Sequence, residues 1–235
     1  MPAVSNDGNT GAVIVAAGRS QRMAGPDKLW VELPDPDGRE RPLLAYAIAA
    51  FQRCTTIDSI VLVVAEDAVD RARELAQREG FDKLYAVVAG GKRRQDSVWA
   101  GLDALKRCDW VAIHDGARPL VTPELIERGL AEAQATGASC CALPVPDTVK
   151  EAGEGRAIIR TVDRARLWLA QTPQVFRYDL LANAHATFEG DATDDAAMIE
   201  ALGGQVTLYP GSPRNLKVTT QEDLALVKTL LTEAS

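Results

Sequence analysis

The chain has 235 residues, 46% of them hydrophobic and 25% charged, and a formal net charge of −7 at pH 7. These values describe a globular protein long enough to bury a core unaided, and they exclude a disordered or fibrous chain; the acidic balance also argues against a nucleic-acid groove, so any polyanion has to be met by local cations. No window reaches the roughly 18 consecutive apolar residues of a membrane span, and the N-terminal MPAVSNDGNTG lacks the basic and apolar regions of a signal peptide, so a cytoplasmic location away from membranes is expected.

The first predicted strand, 12–17 (AVIVAA), is a run of small and β-branched residues that opens into a loop carrying Gly18, Arg19, Arg22 and Lys28. Further apolar runs lie at 60–65 (IVLVVA), 84–89 (LYAVVA), 110–113 (WVAI) and 138–145 (ASCCALPV). They are continuous rather than alternating, the pattern of strands buried on both faces. Segments with helical spacing separate them, at 42–53, 67–79, 95–106 and 123–136. The alternation predicts an α/β fold, a single doubly wound, mostly parallel sheet spanning residues 1–235. Its ligand site is expected beyond the C-terminal strand ends, near the point where strand order reverses. Residues 147–175 interrupt the alternation and read as a hairpin, two β-prone segments around the turn EAGEGR. This insertion is expected to protrude as an arm, at about 147–172, with dimer formation as its role. Helices near 178–187 and 194–202, a strand near 205–209 and a helix near 221–233 complete the domain. The four cysteines, Cys54, Cys108, Cys140 and Cys141, show no CxxC spacing and read as small core residues.

The loops after the strands carry the chemistry. Gly18 lets the backbone turn with its amides outward, a nest suited to phosphate oxygens, and Arg19, Arg22 and Lys28 add positive charge around it. Ser20 and Met23 stand where a GxGxxG fingerprint wants glycine, and no P-loop GK[ST] follows, so a dinucleotide site is disfavoured. The second loop, GGKRR at 90–94, offers two more flexible amides and three more cations; it reads equally as a helix N-terminus capped by Asp96 or Ser97. The third, HDGARP at 114–119, places Asp115 and Arg118 at the ligand edge, where a carboxylate commonly holds Mg2+ or hydroxyl groups. A local Asp115–Arg118 ion pair is the alternative reading, and His114 reads as a satisfied, half-buried residue rather than a base. Asp147, Thr148 and Lys150 open the arm, Arg160, Arg164 and Arg166 lie in it, and RNLKVTT at 214–220 brings Lys217 before the last helix. Two groups of cations on loops at one sheet edge suit a reaction between two phosphate-bearing substrates. One group would hold a nucleotide triphosphate and the other the attacking phosphate.

The motifs AAGxxxRM followed by Lys28, GGxxRxDSVxAGL, HDGARP, PVPDTVK, TVDRxxLWxAQTPQVF, TDDAA and LKVTxxEDLAL run from residue 12 to about residue 228. As a set they resemble those of the 2-C-methyl-D-erythritol 4-phosphate cytidylyltransferases of the non-mevalonate isoprenoid pathway. AAGxxxRM alone is shared by many nucleotidyltransferases; the joint set is specific. The resemblance implies a Rossmann-like nucleotidyltransferase domain that transfers CMP from CTP to the acceptor's phosphate, releasing pyrophosphate and forming 4-diphosphocytidyl-2-C-methyl-D-erythritol. It implies Arg22 and Lys28 as the catalytic cations at the triphosphate, and Ala16, Ala17, Gly18, Gly91 and Ser97 as the lining of the nucleotide pocket. Acceptor contacts would fall to Asp115, Arg118, Thr148, Arg164, Thr172, Thr193 and Lys217. It also implies a Mg2+ cofactor held mainly by the CTP phosphates, with Asp115 its candidate protein ligand, and a homodimer whose arm carries Thr148 and Arg164 to the neighbouring subunit.

Physics agrees with the resemblance, because an acceptor phosphate is already an anion at pH 7 and nucleotidyl transfer needs no protein nucleophile. Fixed cations have to overcome anion repulsion and stabilise the transition state. Three positions depart from the family pattern: Ser20 replaces a second glycine, Lys92 stands where relatives often carry an acidic residue near the cytosine, and Val15 replaces a common proline. A cytidylyltransferase for another polyol phosphate, such as ribitol 5-phosphate, is the nearest rival. A molybdopterin-directed nucleotidyltransferase shares the first loop but not TVDRARLW or LKVTT, and a nicotinamide oxidoreductase lacks its glycine fingerprint.

Overall fold

The computed structural model describes residues 8–18, 27–35, 38–105 and 108–233. In chain order the elements are β1 (Thr10–Ala16), β2 (Glu32–Pro34), β3 (Glu40–Pro42), α1 (Leu43–Arg53), β4 (Ser59–Val64), α2 (Val69–Glu79), β5 (Leu84–Ala89), α3 (Arg94–Ala104) and β6 (Trp110–Asp115). There follow α4 (Pro123–Thr136), β7 (Ala138–Pro144), β8 (Val149–Ala152), β9 (Ile158–Val162), β10 (Trp168–Arg177), α5 (Tyr178–Thr187), α6 (Asp195–Ala201), β11 (Thr207–Pro210) and α7 (Gln221–Thr232).

β1 lies inside a seven-stranded sheet, beside the central strand β6, because it has something apolar to give to each face: Ala12 and Ile14 enter one core and Val13 the other. The strand order is β11-β7-β10-β6-β1-β4-β5. Pairing is parallel between β1 and both β4 and β6, between β4 and β5, and between β11 and β7. The mostly parallel sheet is therefore as the continuous apolar runs predict. α1, α2, α4 and α7 cover one face and α3, α5 and α6 the other. Gly101 lets α3 lie close on the sheet, since a Cβ there would meet Val13 Cγ1 at 2.3 Å. Strand order reverses between β1 and β6, which opens a crevice beyond their C-terminal ends.

Two features differ from the sequence expectation. A small hairpin, β2 with β3, was not predicted; three-residue strands containing prolines leave no periodic signal. The arm itself is present, as β8 paired antiparallel with β9 around a turn in which Gly155 takes φ 66°. Its expected end at 172 is wrong, because Trp168–Arg177 is β10, which runs antiparallel between β7 and β6 in the main sheet. The break between arm and strand is a 3-10 turn, Arg164–Arg166, capped by Asp163, with no glycine or proline to mark it in the sequence. The arm leaves Ile158 and Ile159 65% and 63% exposed, and Trp168 and Leu169 stand exposed at its base.

Cys54, Cys140 and Cys141 are buried and free, as expected of core residues, and Cys108 is half-buried. Burial pushes the Cys140 thiol up to about 12. Among the described residues, no helix is long and apolar enough to cross a membrane.

Candidate active site

A cavity of about 640 Å³ lies in the crevice, at the C-terminal ends of β1, β4, β5 and β6, within the size range of small-molecule sites. Ala16, Ala17 and Gly18 border it from the end of β1, Lys28 from the turn before β2, Gly91 through Arg93 from the β5–α3 connection, Arg94 and Ser97 from the start of α3, and Asp115 and Lys217 from the far side. Lys28 stands on a 3-10 turn, Lys28–Trp30, that local chemistry fixes. The Asp27 carboxylate accepts from the Leu29 N–H at 3.2 Å, Leu29 is buried, and the Arg71 guanidinium lies 4.2 Å above the Trp30 ring.

The glycines of GGKRR work differently from the sequence expectation. Their amides are not open to an anion: the Gly90 N–H donates to the Val64 carbonyl at 2.8 Å and the Gly91 N–H to Ser97 Oγ at 3.1 Å. What Gly90 supplies is close approach, since a Cβ there would sit 2.3 Å from the Ala17 Cβ and 2.7 Å from Ser97 Oγ. Neither Asp96 nor Ser97 is the N-cap, which is Arg93. Asp96, in the first turn of α3, reaches back to the Arg93 N–H at 3.1 Å, and Ser97 Oγ donates to the Arg93 carbonyl at 3.2 Å.

Asp115 ends β6 and is the electrostatic hub. Its Oδ2 accepts from Lys217 Nζ at 2.7 Å and its Oδ1 from Arg94 Nε at 3.3 Å, whereas Arg118 Nε is 4.0 Å away. The simple Asp115–Arg118 pair is thus the weakest of the three. Burial would raise the Asp115 carboxyl, but the charges of Arg94 and Lys217 and the Lys217 hydrogen bond outweigh it and hold the group well below the usual carboxylate range. Arg118 spends its Nη1 on the Asn215 carbonyl at 2.7 Å, and Asn215 Nδ2 donates to the Thr172 carbonyl at 2.8 Å. These bonds, with Val218 N–H to the Ala117 carbonyl at 2.9 Å, stitch the Lys217 segment to the Asp115 loop.

His114 lies under this hub, fully buried rather than half-buried as expected. Its Nε2 is 3.2 Å from the Arg118 carbonyl, which only accepts, so Nε2 carries the proton. Nδ1 then accepts from Thr172 Oγ1 at 3.1 Å, and that oxygen in turn accepts the Asp115 N–H at 3.0 Å. Burial pushes His114 down from 6.5 to about 4. Above pH 6.5 both folded and unfolded states hold it neutral. Below that the unfolded chain gains the proton first, so stability falls until the folded state protonates near pH 4, a total loss of about 3 kcal/mol. Urea denaturation of wild type and His114→Gln at pH 7 and pH 4.5 checks this. The variant should lose less stability on acidification, and parallel losses would remove His114 from the explanation.

The sequence matches the family model described as "IspD: 2-C-methyl-D-erythritol 4-phosphate cytidylyltransferase" over residues 10–233. It is 43% identical over 221 residues to the 2-C-methyl-D-erythritol 4-phosphate cytidylyltransferase of Dehalococcoides mccartyi strain CBDB1, covering 94% of this chain and 95% of that one. The Clostridium acetobutylicum enzyme of the same name is 40% identical over 229 residues, with 95% and 98% covered. Among solved structures, the 4-diphosphocytidyl-2C-methyl-D-erythritol synthase of Anaerococcus prevotii superposes with a TM-score of 0.80 at 27% identity, over 95% of this chain and 96% of that one. The 2-C-methyl-D-erythritol 4-phosphate cytidylyltransferase of Thermus thermophilus gives 0.72 at 34% identity, over 93% and 96%. The chain belongs to the 2-C-methyl-D-erythritol 4-phosphate cytidylyltransferase family.

Of the residues that the family resemblance singles out, Ala16, Ala17, Gly18, Lys28, Gly91, Ser97, Asp115 and Lys217 border one cavity. Arg118 and Thr172 are buried and act on the Asp115 and Lys217 segments from behind. Thr193 is exposed beside the N-cap of α6, and Thr148 and Arg164 are exposed on the arm, where Arg164 Nη1 donates to the Pro146 carbonyl. Arg22, with Arg19 and Ser20, lies outside the described residues. Sequence reasoning missed the pairing of Arg94 with Asp195. Both stand at fixed letters of the cytidylyltransferase motifs, GGxxRxDSV and TDDAA, which was the available signal.

Proposed function

We infer that this cavity holds CTP and that the protein transfers CMP to the phosphate of 2-C-methyl-D-erythritol 4-phosphate. The observation that carries the reading is the meeting of Lys28 and the Asp115–Lys217 pair around one crevice at the strand-order reversal. The triphosphate lies against Lys28, with Arg22 from the same loop, and the base side of CTP against Ala16, Ala17, Gly18, Gly91 and Ser97. The acceptor phosphate meets Lys217, and the ionised Asp115 accepts hydrogen bonds from the polyol hydroxyls. An oxygen of the acceptor phosphate attacks the α-phosphorus, forming one P–O bond as the bridge to the β-phosphate breaks and pyrophosphate departs. Lys28 stabilises the charge that develops there, and no protein base is needed.

Mg2+ is the proposed cofactor, and its donors would be the phosphate oxygens of CTP. Among the described residues no group of three His, Cys, Asp or Glu side chains forms a metal site, and Asp115 is already engaged by Arg94 and Lys217, which makes it a poor ligand. On phosphates the ion would neutralise charge on the leaving group. The exposed Ile158, Ile159, Trp168 and Leu169 support a homodimer formed through the arm, which would carry Thr148 and Arg164 to the neighbouring subunit. A cytoplasmic location completes the reading. Pyrophosphate release with each of four nucleoside triphosphates against a panel of polyol phosphates tests it. CTP with 2-C-methyl-D-erythritol 4-phosphate should be the productive pair, and success with ribitol 5-phosphate alone would overturn the acceptor.

A further inference from the structure

We propose that Arg94 and Asp195 are positioning residues for the acceptor, a buried ion pair that fixes the Asp115 carboxylate and the Thr193 corner as one unit. Arg94 Nη1 donates to Asp195 Oδ2 at 2.6 Å while its Nε donates to Asp115 Oδ1 at 3.3 Å, so one planar guanidinium joins two carboxylates that are distant in sequence. Asp195 opens α6 with no solvent exposure, and its other oxygen lies 3.2 Å from His185 Nε2 on α5. The residue before it, Asp194, caps α6 through the Ala197 N–H at 2.9 Å and accepts from Gln174 Nε2 of β10 at 2.8 Å. Thr193 hangs directly from this pinned corner.

The neighbours of Arg94 repeat the grip. Arg93 Nη1 donates to the Gly190 carbonyl at 3.2 Å, and Gln95 both donates to that carbonyl at 2.9 Å and accepts the Ala192 N–H at 3.0 Å. Three consecutive side chains at the start of α3 therefore hold segment 190–195 against the turn whose Arg93 and Arg94 border the cavity. Such a pair contributes little net stability, because desolvation of both charges offsets their attraction, and Arg94 Nη2 is buried without a hydrogen-bond partner. Its place between the hub carboxylate and the Thr193 corner is what the arrangement secures. Asp115 is faced by Arg94 from α3, Lys217 from the segment before α7 and Arg118 from its own loop, with buried His114 beside it; Asp195 is faced by Arg94 and His185.

The proposal rests on the acceptor reading of Asp115 and Thr193 given above. Its test measures pyrophosphate release by the full chain with CTP and 2-C-methyl-D-erythritol 4-phosphate varied separately. Arg94→Gln should raise the acceptor KM about tenfold or more, and by a clearly larger factor than the CTP KM. It should also move the acid limb of acceptor kcat/KM to higher pH, because Asp115 loses one of its cations. Arg94→Lys should recover part of both effects, restoring charge without the fork. Asp195→Asn should raise the acceptor KM without that upward move of the acid limb, and it carries the test if Arg94→Gln fails to fold. Equal rises in both KM values, or a lower melting temperature with both KM values intact, would reduce the pair to a structural role and overturn the proposal. Wild-type protein that ignores methylerythritol phosphate but uses another polyol phosphate would instead sink the acceptor reading, and the same comparison is then made on that acceptor.

Discussion

Lys28→Ala is expected to lower kcat by on the order of 10² to 10³, the effect of removing one preorganised charge-stabilising donor. The loss should fall on kcat more than on the KM for CTP, because the charge Lys28 meets grows in the transition state. Folding should be little affected: the 3-10 turn is anchored by buried Leu29 and by Asp27, and Lys28 is itself half-buried at the cavity wall. Steady-state pyrophosphate release with a parallel thermal melt makes the comparison. Near-normal turnover in a folded variant would remove Lys28 from the chemistry.

The second large effect is expected at Asp115→Asn. The substitution keeps size and removes charge, leaving Arg94 and Lys217 facing a neutral amide that presents a donor to their own donors. Removing one partner of a buried pair should destabilise the fold by roughly 3 kcal/mol. Acceptor kcat/KM should fall on the order of 10²-fold, with the CTP KM preserved. The wild-type contribution is fully present above about pH 4, the unfolded value, and is lost as acid brings the pH through the lower folded value. Urea titrations at pH 7 and pH 3 should therefore show the gap between wild type and variant narrowing in acid. A variant with unchanged stability and acceptor KM would mean that the hub is electrostatically idle.

Much of the fold was legible because β1, β4, β6 and β7 bury residues on both faces, and such strands write themselves as unbroken apolar runs. β10 was not, since its first residues are exposed and follow the arm after a 3-10 turn, Arg164–Arg166, that contains neither glycine nor proline, and pairing with β6 and β7 is what sets it apart. In the site, Lys28, Asp115 and Lys217 were visible as cation and carboxylate letters after strands. The pairing of Arg94 with Asp195 was not, because it spans 101 positions and depends on how α3 and α6 pack. The amides of Gly90 and Gly91 looked available because sequence shows a donor but not the Val64 carbonyl or Ser97 hydroxyl that takes it.

β10 begins at the root of the arm with Trp168 and, a few residues on, presents Thr172 to His114 and to the Asp115 backbone. The root of the protruding hairpin and the residue that holds the carboxylate hub therefore stand four positions apart on a single strand. The seat of the arm and the floor of the crevice are thus cut from one element.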